Sequence, residues 1–337
     1  MPLSQIGEDA LVRLFGGARR GTSSGRGSTV VVGPGDDAAA VRPPRGSRLL
    51  LTTDLLAEGV HFRRTWAPPA DLGWKLAAVN VSDIAAMGGR PLWALLSLAL
   101  PPNLEAGFAA GLRRGLVAAT RRFDFAIIGG DTCASGAGVF LSLTLVGVAR
   151  ARLLTRDGAS PGDLIFVTGH LGASSLGLAA LERYGTGSCP GPLRACVRRH
   201  LRPEPRLAFG AALARTGLAT AAMDVSDGLS RDLGRLCASS GVGAEVSADA
   251  VPIQAATIRA ARLLGCGARE AALHGGEEYE LLFTAKPRDA GPVAALGRRW
   301  GLPLSIIGRV ASRGAGVSLI DAGGVRHPFA TKTWEHF

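Results

Sequence analysis

The 337-residue sequence predicts an α/β (α+β) protein in two domains, 1–150 and 151–337. Three observations predict it. Short apolar runs that end in glycine alternate with segments of helical spacing, the pattern of strands and helices packed in layers. A turn-rich connector, Arg156-Asp157-Gly158-Ala159-Ser160-Pro161-Gly162-Asp163, follows Arg150 and precedes a fresh strand–glycine–helix unit. The length suffices for two domains of ordinary size, and 47% hydrophobic residues can supply their cores.

The elements follow in order. Glu8 to Phe15 has the spacing of a short amphipathic helix, and the Gly-, Arg- and Ser-rich stretch Gly16 to Ser28 reads as a loop. Thr29 to Val32 is β-branched, a strand signal, and the turn Gly33-Pro34-Gly35 after it presents Asp36 and Asp37. Arg48 to Asp54 is a second strand, in which three leucines bury and two threonines and a carboxylate mark a polar end. Glu58 to Phe62 leads into a loop closed by Pro68-Pro69. Asp71 to Met87 is a helix: Trp74, Ala77, Ala78, Val81 and Ala85 lie near helical spacing, with Asn80, Asp83 and Met87 on the neighbouring stripe. Gly88-Gly89 stops it. Pro91 to Leu100 is a strand and Leu104 to Arg122 a helix. Phe125 to Ile128 is a strand running into Gly129-Gly130-Asp131, and Val139 to Ala149 is another.

The second half opens with strand Leu164 to Gly169 and helix Ser174 to Tyr184. Gly185 to Pro205, rich in Gly, Pro and Arg, reads as an excursion over the surface. Helix Arg206 to Thr216, strand Ala221 to Val225 and helix Leu229 to Ser240 follow, with Ser226-Asp227-Gly228 opening the last. The acid-rich turn His274 to Glu280 precedes strand Leu281 to Thr284. A helix from Pro287 to Trp300 and two strands complete the chain.

Composition narrows the function. The formal charge is +11, but only Lys75, Lys286 and Lys332 are lysine, and the arginines are scattered or paired without forming a basic run. Anionic substrates account for the excess more simply than nucleic acid does, and no nucleic-acid partner is expected. Five cysteines, an odd number with no Cys-x-x-Cys pair, argue against a disulfide framework or zinc site and for a reducing compartment. The first residues carry early acids and no apolar signal core, and the longest apolar run, Leu92 to Leu100, is far short of the roughly twenty residues that cross a bilayer. A cytoplasmic protein without a membrane partner is expected.

No P-loop or Gly-x-Gly-x-x-Gly motif is present, and none of the three lysines follows a glycine. Five acidic clusters remain: Asp36-Asp37, Asp54, Asp83, Asp131 and Asp224 with Asp227, each beside an apolar segment. Carboxylates so placed repel one another unless cations sit between them. Mg²⁺ takes oxygen ligands, uses one or two protein carboxylates and leaves its other positions to phosphate oxygens and water. Spread over five segments, these acids suit several ions around a polyphosphate. For any one of them the alternative is a cap or turn residue.

In this order the chain carries Gly35-Asp36-Asp37-Ala38-Ala39, Thr52-Thr53-Asp54, Val79-Asn80-Val81-Ser82-Asp83-Ile84-Ala85-Ala86-Met87-Gly88, Gly129-Gly130-Asp131-Thr132, Asp224-Val225-Ser226-Asp227-Gly228-Leu229 and Gly275-Gly276-Glu277-Glu278-Tyr279-Glu280. With these motifs it resembles the thiamine-monophosphate kinase family, within the superfamily that includes aminoimidazole ribonucleotide synthetase. The resemblance implies that superfamily's two-domain fold and a homodimer that pairs its N-terminal sheets. It also implies an active site between the two domains of a chain and ATP-dependent phosphorylation of thiamine monophosphate. Residue by residue, it implies Mg²⁺ ligands, direct or through water, at Asp37, Thr52, Thr53, Asp54, Asp83, Asp131, Asp224 and Asp227. It implies ATP contacts at Gly130, Asp131, Arg156, Ser226 and Phe123, and substrate contacts at His61, Glu277 and Trp334. Packing alternatives stay open for Phe123 and Trp334, a surface ion pair with Asp157 or Asp163 for Arg156, and a loop or core position for His61. No covalent nucleophile or general base is expected, because a substrate phosphate is already ionised near neutral pH.

Overall fold

The structure, a computed structural model, describes residues 1–6, 8–16, 29–33 and 38–329. The loop predicted after Gly16 lies outside them. The chain divides into two units, Met1–Ile84 with Gly89–Arg150, and Ala85–Gly88 with Ala151–Phe337.

The first unit runs α1 (Leu3–Ile6), α2 (Glu8–Gly16), β1 (Val30–Val32), β2 (Ala40–Val41), β3 (Arg48–Ala57), most of α3 (Pro69–Ala86), β4 (Arg90–Leu100), α4 (Ala106–Phe123), β5 (Ala126–Ala134) and β6 (Phe140–Ala149). β1 and β2 form a two-stranded antiparallel sheet. The other strands form a four-stranded sheet in the order β3-β6-β4-β5, parallel only between β4 and β5. β3 is longer than its sequence suggests. Leu55, Leu56 and Ala57 continue the ladder against Ser142, Leu141 and Phe140, so Asp54 lies within the strand and not at its end.

Side chains alternate across a strand, so the three consecutive leucines of β3 cannot all be buried. Leu50 and Leu56 are buried, whereas Leu49, Leu51 and Leu55 are 47%, 69% and 51% exposed. Leu95 of β4 is also exposed. The sheet thus leaves part of one face apolar and open in the chain alone. Its buried side chains pack with α3, whose residues Leu72 to Ser82 are all buried. A helix buried on every side belongs in the middle of a core.

α3 meets α4 at glycine. A Cβ on Gly115 would lie 1.8 Å from the Ala70 carbonyl oxygen. Gly115→Ala is therefore expected to force the helices apart and lower the unfolding free energy by about 1–3 kcal/mol or more. Thermal denaturation checks this, and an unchanged melting temperature would show that the contact yields freely.

The second unit runs β7 (Leu164–Thr168), α5 (Ala173–Tyr184), α6 (Arg194–Leu201), α7 (Leu207–Thr216), β8 (Ala219–Asp224), α8 (Leu229–Ser240), β9 (Gly243–Ser247), α9 (Ala255–Leu264), α10 (Ala268–His274), β10 (Leu281–Ala285), α11 (Ala290–Arg299), β11 (Leu304–Ala311), β12 (Val317–Ile320) and β13 (Arg326–Pro328). The sheet order is β13-β12-β9-β11-β7-β10-β8, parallel only between β12 and β9. Its central strands are buried on both faces. Ile165, Val167 and Leu282 join the core that includes Leu229, Leu233 and Leu236 of α8. Phe166 and Phe283 stack at 5.1 Å and join the core that includes Phe209 and Leu213 of α7. Helices on both faces explain why β7 and β10 read as unbroken apolar runs. The gap between Ser240 and His274, which the sequence leaves without predicted elements, holds β9, α9 and α10.

Candidate active site

In the first unit, strand alternation decides which acids work together. The Thr52 hydroxyl donates to Asp83 Oδ2 on α3. Asp54, two residues along and on the same face, lies within the field of Asp83. Burial first, and the Asp83 charge second, push Asp54 up to about 6. Thr53 faces the other way, where its Oγ1 accepts from Thr144 Oγ1 at 3.1 Å. Of the three neighbouring residues implied as ligands, Thr52 and Asp54 therefore come together with Asp83, and the Thr53 hydroxyl does not.

The register places Gly130, not Asp131, in the Asp54 row: Asp54 pairs with Leu143, Leu143 with Leu96, and Leu96 with Gly130. A Cβ at Gly130 would lie 1.8 Å from the Leu96 carbonyl oxygen, so only glycine lets β5 approach β4 there. Asp131 follows on the edge strand, exposed, with Oδ1 accepting from Thr132 N at 2.9 Å. Three strand spacings separate β3 from β5, about 14 Å. Mg²⁺ holds its ligands at about 2.1 Å, so Asp54 and Asp131 cannot share one ion.

The His61 ring is tied to the end of β3, with Ala57 N donating to Nδ1 at 3.1 Å. Phe123 is buried, its ring 5.2 Å from that of Trp74, so it sits in the packing position that the sequence left open for it.

In the second unit, Asp224 is the buried last residue of β8. The turn after it is laced to the acid-rich segment 275–280 through the backbone: Glu277 N donates to Ser226 O at 2.7 Å, Tyr279 N to Val225 O at 2.8 Å, and Val225 N to Glu280 O at 2.8 Å. Asp224, Ser226, Asp227 and Glu277, distant in sequence, are thus brought side by side. Asp227 Oδ2 accepts from Arg235 at 2.5 Å. Arg156 is exposed in the connector between β6 and β7, which runs beside β8: Ala222 N donates to Thr155 O at 2.7 Å. Arg156's own carbonyl accepts from Ser240 Oγ at 2.9 Å.

Several residues here were not singled out from sequence. Asp232, fully buried in the first turn of α8, accepts from Ser226 N and Asp227 N through Oδ2 at 3.0 and 2.9 Å, and burial pushes it up to about 6. Its signal was an acid in the first turn of a helix, where the helix dipole favours one. Glu278 and Glu280 are buried with Arg199 and Arg206 as neighbours.

Among the described residues no group of three or more His, Cys, Asp or Glu stands close enough to hold a metal ion. Asp37 and Trp334 lie outside the described residues. The donor chemistry nevertheless fits Mg²⁺. Thr52, Asp54 and Asp83 offer only oxygen, and Asn80, one turn before Asp83 on α3, has a buried Oδ1 with no hydrogen-bond partner among the described residues. Two carboxylates are as many as this ion commonly takes from a protein.

The fold is that of a known class. Residues 35–149 match the family described as AIR synthase related protein, N-terminal domain, and residues 160–321 match the corresponding C-terminal domain. The thiamine-monophosphate kinase of Salmonella typhimurium is 37% identical over 308 residues, 91% of this chain and 92% of that one. A crystal structure of thiamine-monophosphate kinase from Stenotrophomonas maltophilia superposes with a TM-score of 0.79 at 39% identity, covering 87% of this chain and 92% of that one. A structure of AaThiL complexed with AMPPCP and TMP covers 100% of this chain and 99% of its own at a TM-score of 0.78 and 36% identity. The chain belongs to the thiamine-monophosphate kinases, which are ATP-dependent phosphotransferases, within the AIR synthase related proteins.

Proposed function

We propose that this chain transfers the γ-phosphoryl group of ATP to thiamine monophosphate, giving thiamine diphosphate and ADP, with Mg²⁺ required. The observation that carries the reading is the likeness along the whole chain to a structure complexed with AMPPCP and TMP. An oxygen of the thiamine phosphate attacks the γ-phosphorus as the bond to the β,γ-bridging oxygen breaks. The attacking oxygen carries no proton near neutral pH, which agrees with the absence of a base from the expected site. The work left to the protein is positioning and charge neutralisation. Thr52, Asp54 and Asp83 in one unit, and Asp224 and Asp227 in the other, would hold Mg²⁺, which supplies neutralisation of the phosphate charges when bound. Asp131 and Asp37 belong to the same reading as ligands of further ions. Gly130, Asp131, Arg156 and Ser226 would contact ATP, and Phe123 would act through packing beneath it. His61, Glu277 and Trp334 would contact the thiamine phosphate.

The same reading makes the protein a cytoplasmic homodimer. Supporting it are the exposed Leu49, Leu51, Leu55 and Leu95 on one face of the four-stranded sheet; exposed large apolar side chains gathered on one face mark a contact site. Among the described residues no helix is long and apolar enough to cross a membrane.

Purified protein supplied with ATP, Mg²⁺ and thiamine monophosphate is expected to form thiamine diphosphate and ADP in equal amounts, and a chelator is expected to stop it. Turnover that persists without divalent ions would sink the metal part of the reading. Failure to make thiamine diphosphate under any condition would sink the whole.

A further inference from the structure

The Gly185–Pro205 stretch, which the sequence presents as a surface excursion, contains α6, and α6 reaches the site. Its last turn sends Arg199 and His200 to the segment that bears Glu277. That segment is unusual. Glu277 and Tyr279 have φ of 61° and 52°, left-handed values that cost a residue with a side chain free energy. Such a conformation persists only where its surroundings hold it. Arg199 Nη2 donates to the Glu278 carbonyl at 2.7 Å and to Glu280 Oε1 at 2.5 Å. Glu278 Oε1 accepts from Gly172 N and Ser174 N at the start of α5, at 2.8 and 3.0 Å. His200, 1% exposed, places Nδ1 3.1 Å from Glu277 Oε2 and 3.2 Å from Ser174 Oγ. A carboxylate oxygen only accepts, so a hydrogen bond within the His200–Glu277 pair requires the hydrogen on Nδ1, with the Ser174 hydroxyl as its second neighbour.

We infer that His200 is a positioning residue: its Nδ1–H fixes the direction of the Glu277 carboxylate, so that Glu277 meets the thiamine phosphate already oriented. This rests on the substrate role proposed for Glu277. α6 is then part of the substrate site and not a surface ornament. The imidazole is rigid and buried, and it meets the carboxylate at Oε2.

Asparagine places an N–H donor where the histidine has Nδ1, whereas leucine and phenylalanine fill the space without one. His200→Leu is expected to raise KM for thiamine monophosphate roughly tenfold, the effect of losing a hydrogen bond to a charged group. KM for ATP should stay within about twofold, and His200→Asn should recover most of the affinity. Amide hydrogen exchange should quicken at Gly276 to Tyr279 in His200→Leu and not in His200→Asn. His200→Phe serves the same purpose if the leucine variant does not fold. The inference is overturned by an unchanged KM, by an asparagine variant as impaired as leucine, or by both KM values rising together. Wild-type protein that fails to bind thiamine monophosphate would overturn the substrate reading instead. The exchange measurement would then still decide whether His200 holds the loop, since equal exchange in all variants removes it from that role.

Discussion

Asp54→Asn is expected to abolish activity and at the same time to raise the melting temperature above pH 6. Both effects come from one cause. Burial and the neighbouring Asp83 raise Asp54 from 3.8 to about 6. A carboxyl group whose folded pKa lies above its unfolded one holds its proton more tightly in the folded state. Its contribution to stability is complete below about pH 4 and is lost as pH rises through 6. At pH 8 the folded protein carries an ionised group in a site that disfavours it. A shift of two units is worth about 3 kcal/mol, and partial solvation reduces that to the order of 2 kcal/mol. Asparagine keeps the shape and removes the charge. The difference between variant and wild type should therefore vanish near pH 3.5 and reach several degrees at pH 8. Mg²⁺ should raise the melting temperature of the wild type and have little effect on the variant, because the ion relieves the same repulsion. Turnover should fall on the order of a hundredfold or more, the scale of removing one electrostatic contact in a phosphoryl-transfer site. Denaturation curves from pH 3.5 to 8, with and without Mg²⁺, check the stability part. A variant less stable than wild type at pH 8 would show that Asp54 is not held against its charge.

The fold class was legible because glycine-ended apolar runs and helical stripes are local signals. The helix around Asp83 was read almost to its ends, Asp71 to Met87 against Pro69–Ala86 in the structure. The length of β3 was not, because Leu55 to Ala57 owe their strand pairing to β6, which lies far along the chain. The same register separates Thr53 from Thr52 and sets β3 and β5 three strand spacings apart, facts of pairing that no single segment carries. In the second half, Asp224 to Asp227 and Glu277 were read as separate motifs, and the backbone bonds between 225–226 and 277–280 join them. The opposite failure is α6. Gly185 to Pro205 is full of residues that favour turns, and its arginines read as solvated. Arg199 and His200 gain their meaning only from acids seventy or more positions away, and Arg206 gains its own from Glu280.

Removing the Glu280 carboxylate is expected to cost the second unit more stability than any other charge change here. Glu280 is 1% exposed and collects nearly every polar group around it. Arg206 grips both oxygens, with Nε donating to Oε2 at 2.6 Å and Nη2 to Oε1. Arg199 donates to Oε1 at 2.5 Å, and Thr168 Oγ1 to Oε2 at 2.6 Å. The Thr168 oxygen in turn accepts from Leu281 N at 2.8 Å, tying the start of β10 to β7. Glu280→Leu leaves two guanidinium groups side by side without their shared counter-charge. Breaking a buried pair from one side costs about 3–5 kcal/mol, because the remaining charge is uncompensated. For a unit of this size that lowers the melting temperature on the order of 10 °C. A second substitution separates charge from packing. Glu280→Leu with Arg206→Leu removes the bidentate partner too, and Arg199 keeps a second acid in Glu278, whose Oε2 lies 4.0 Å from its Nε. The double variant is therefore expected to recover at least half of the loss, with a coupling of several kcal/mol in the double-mutant cycle. Purely additive losses would mean that Glu280 acts by filling space. If additivity were observed, the left-handed turn at Glu277 would be held without the Glu280 charge, by its backbone bonds to Val225 and Ser226 and by the Glu278 contacts with Gly172, Ser174 and Arg199.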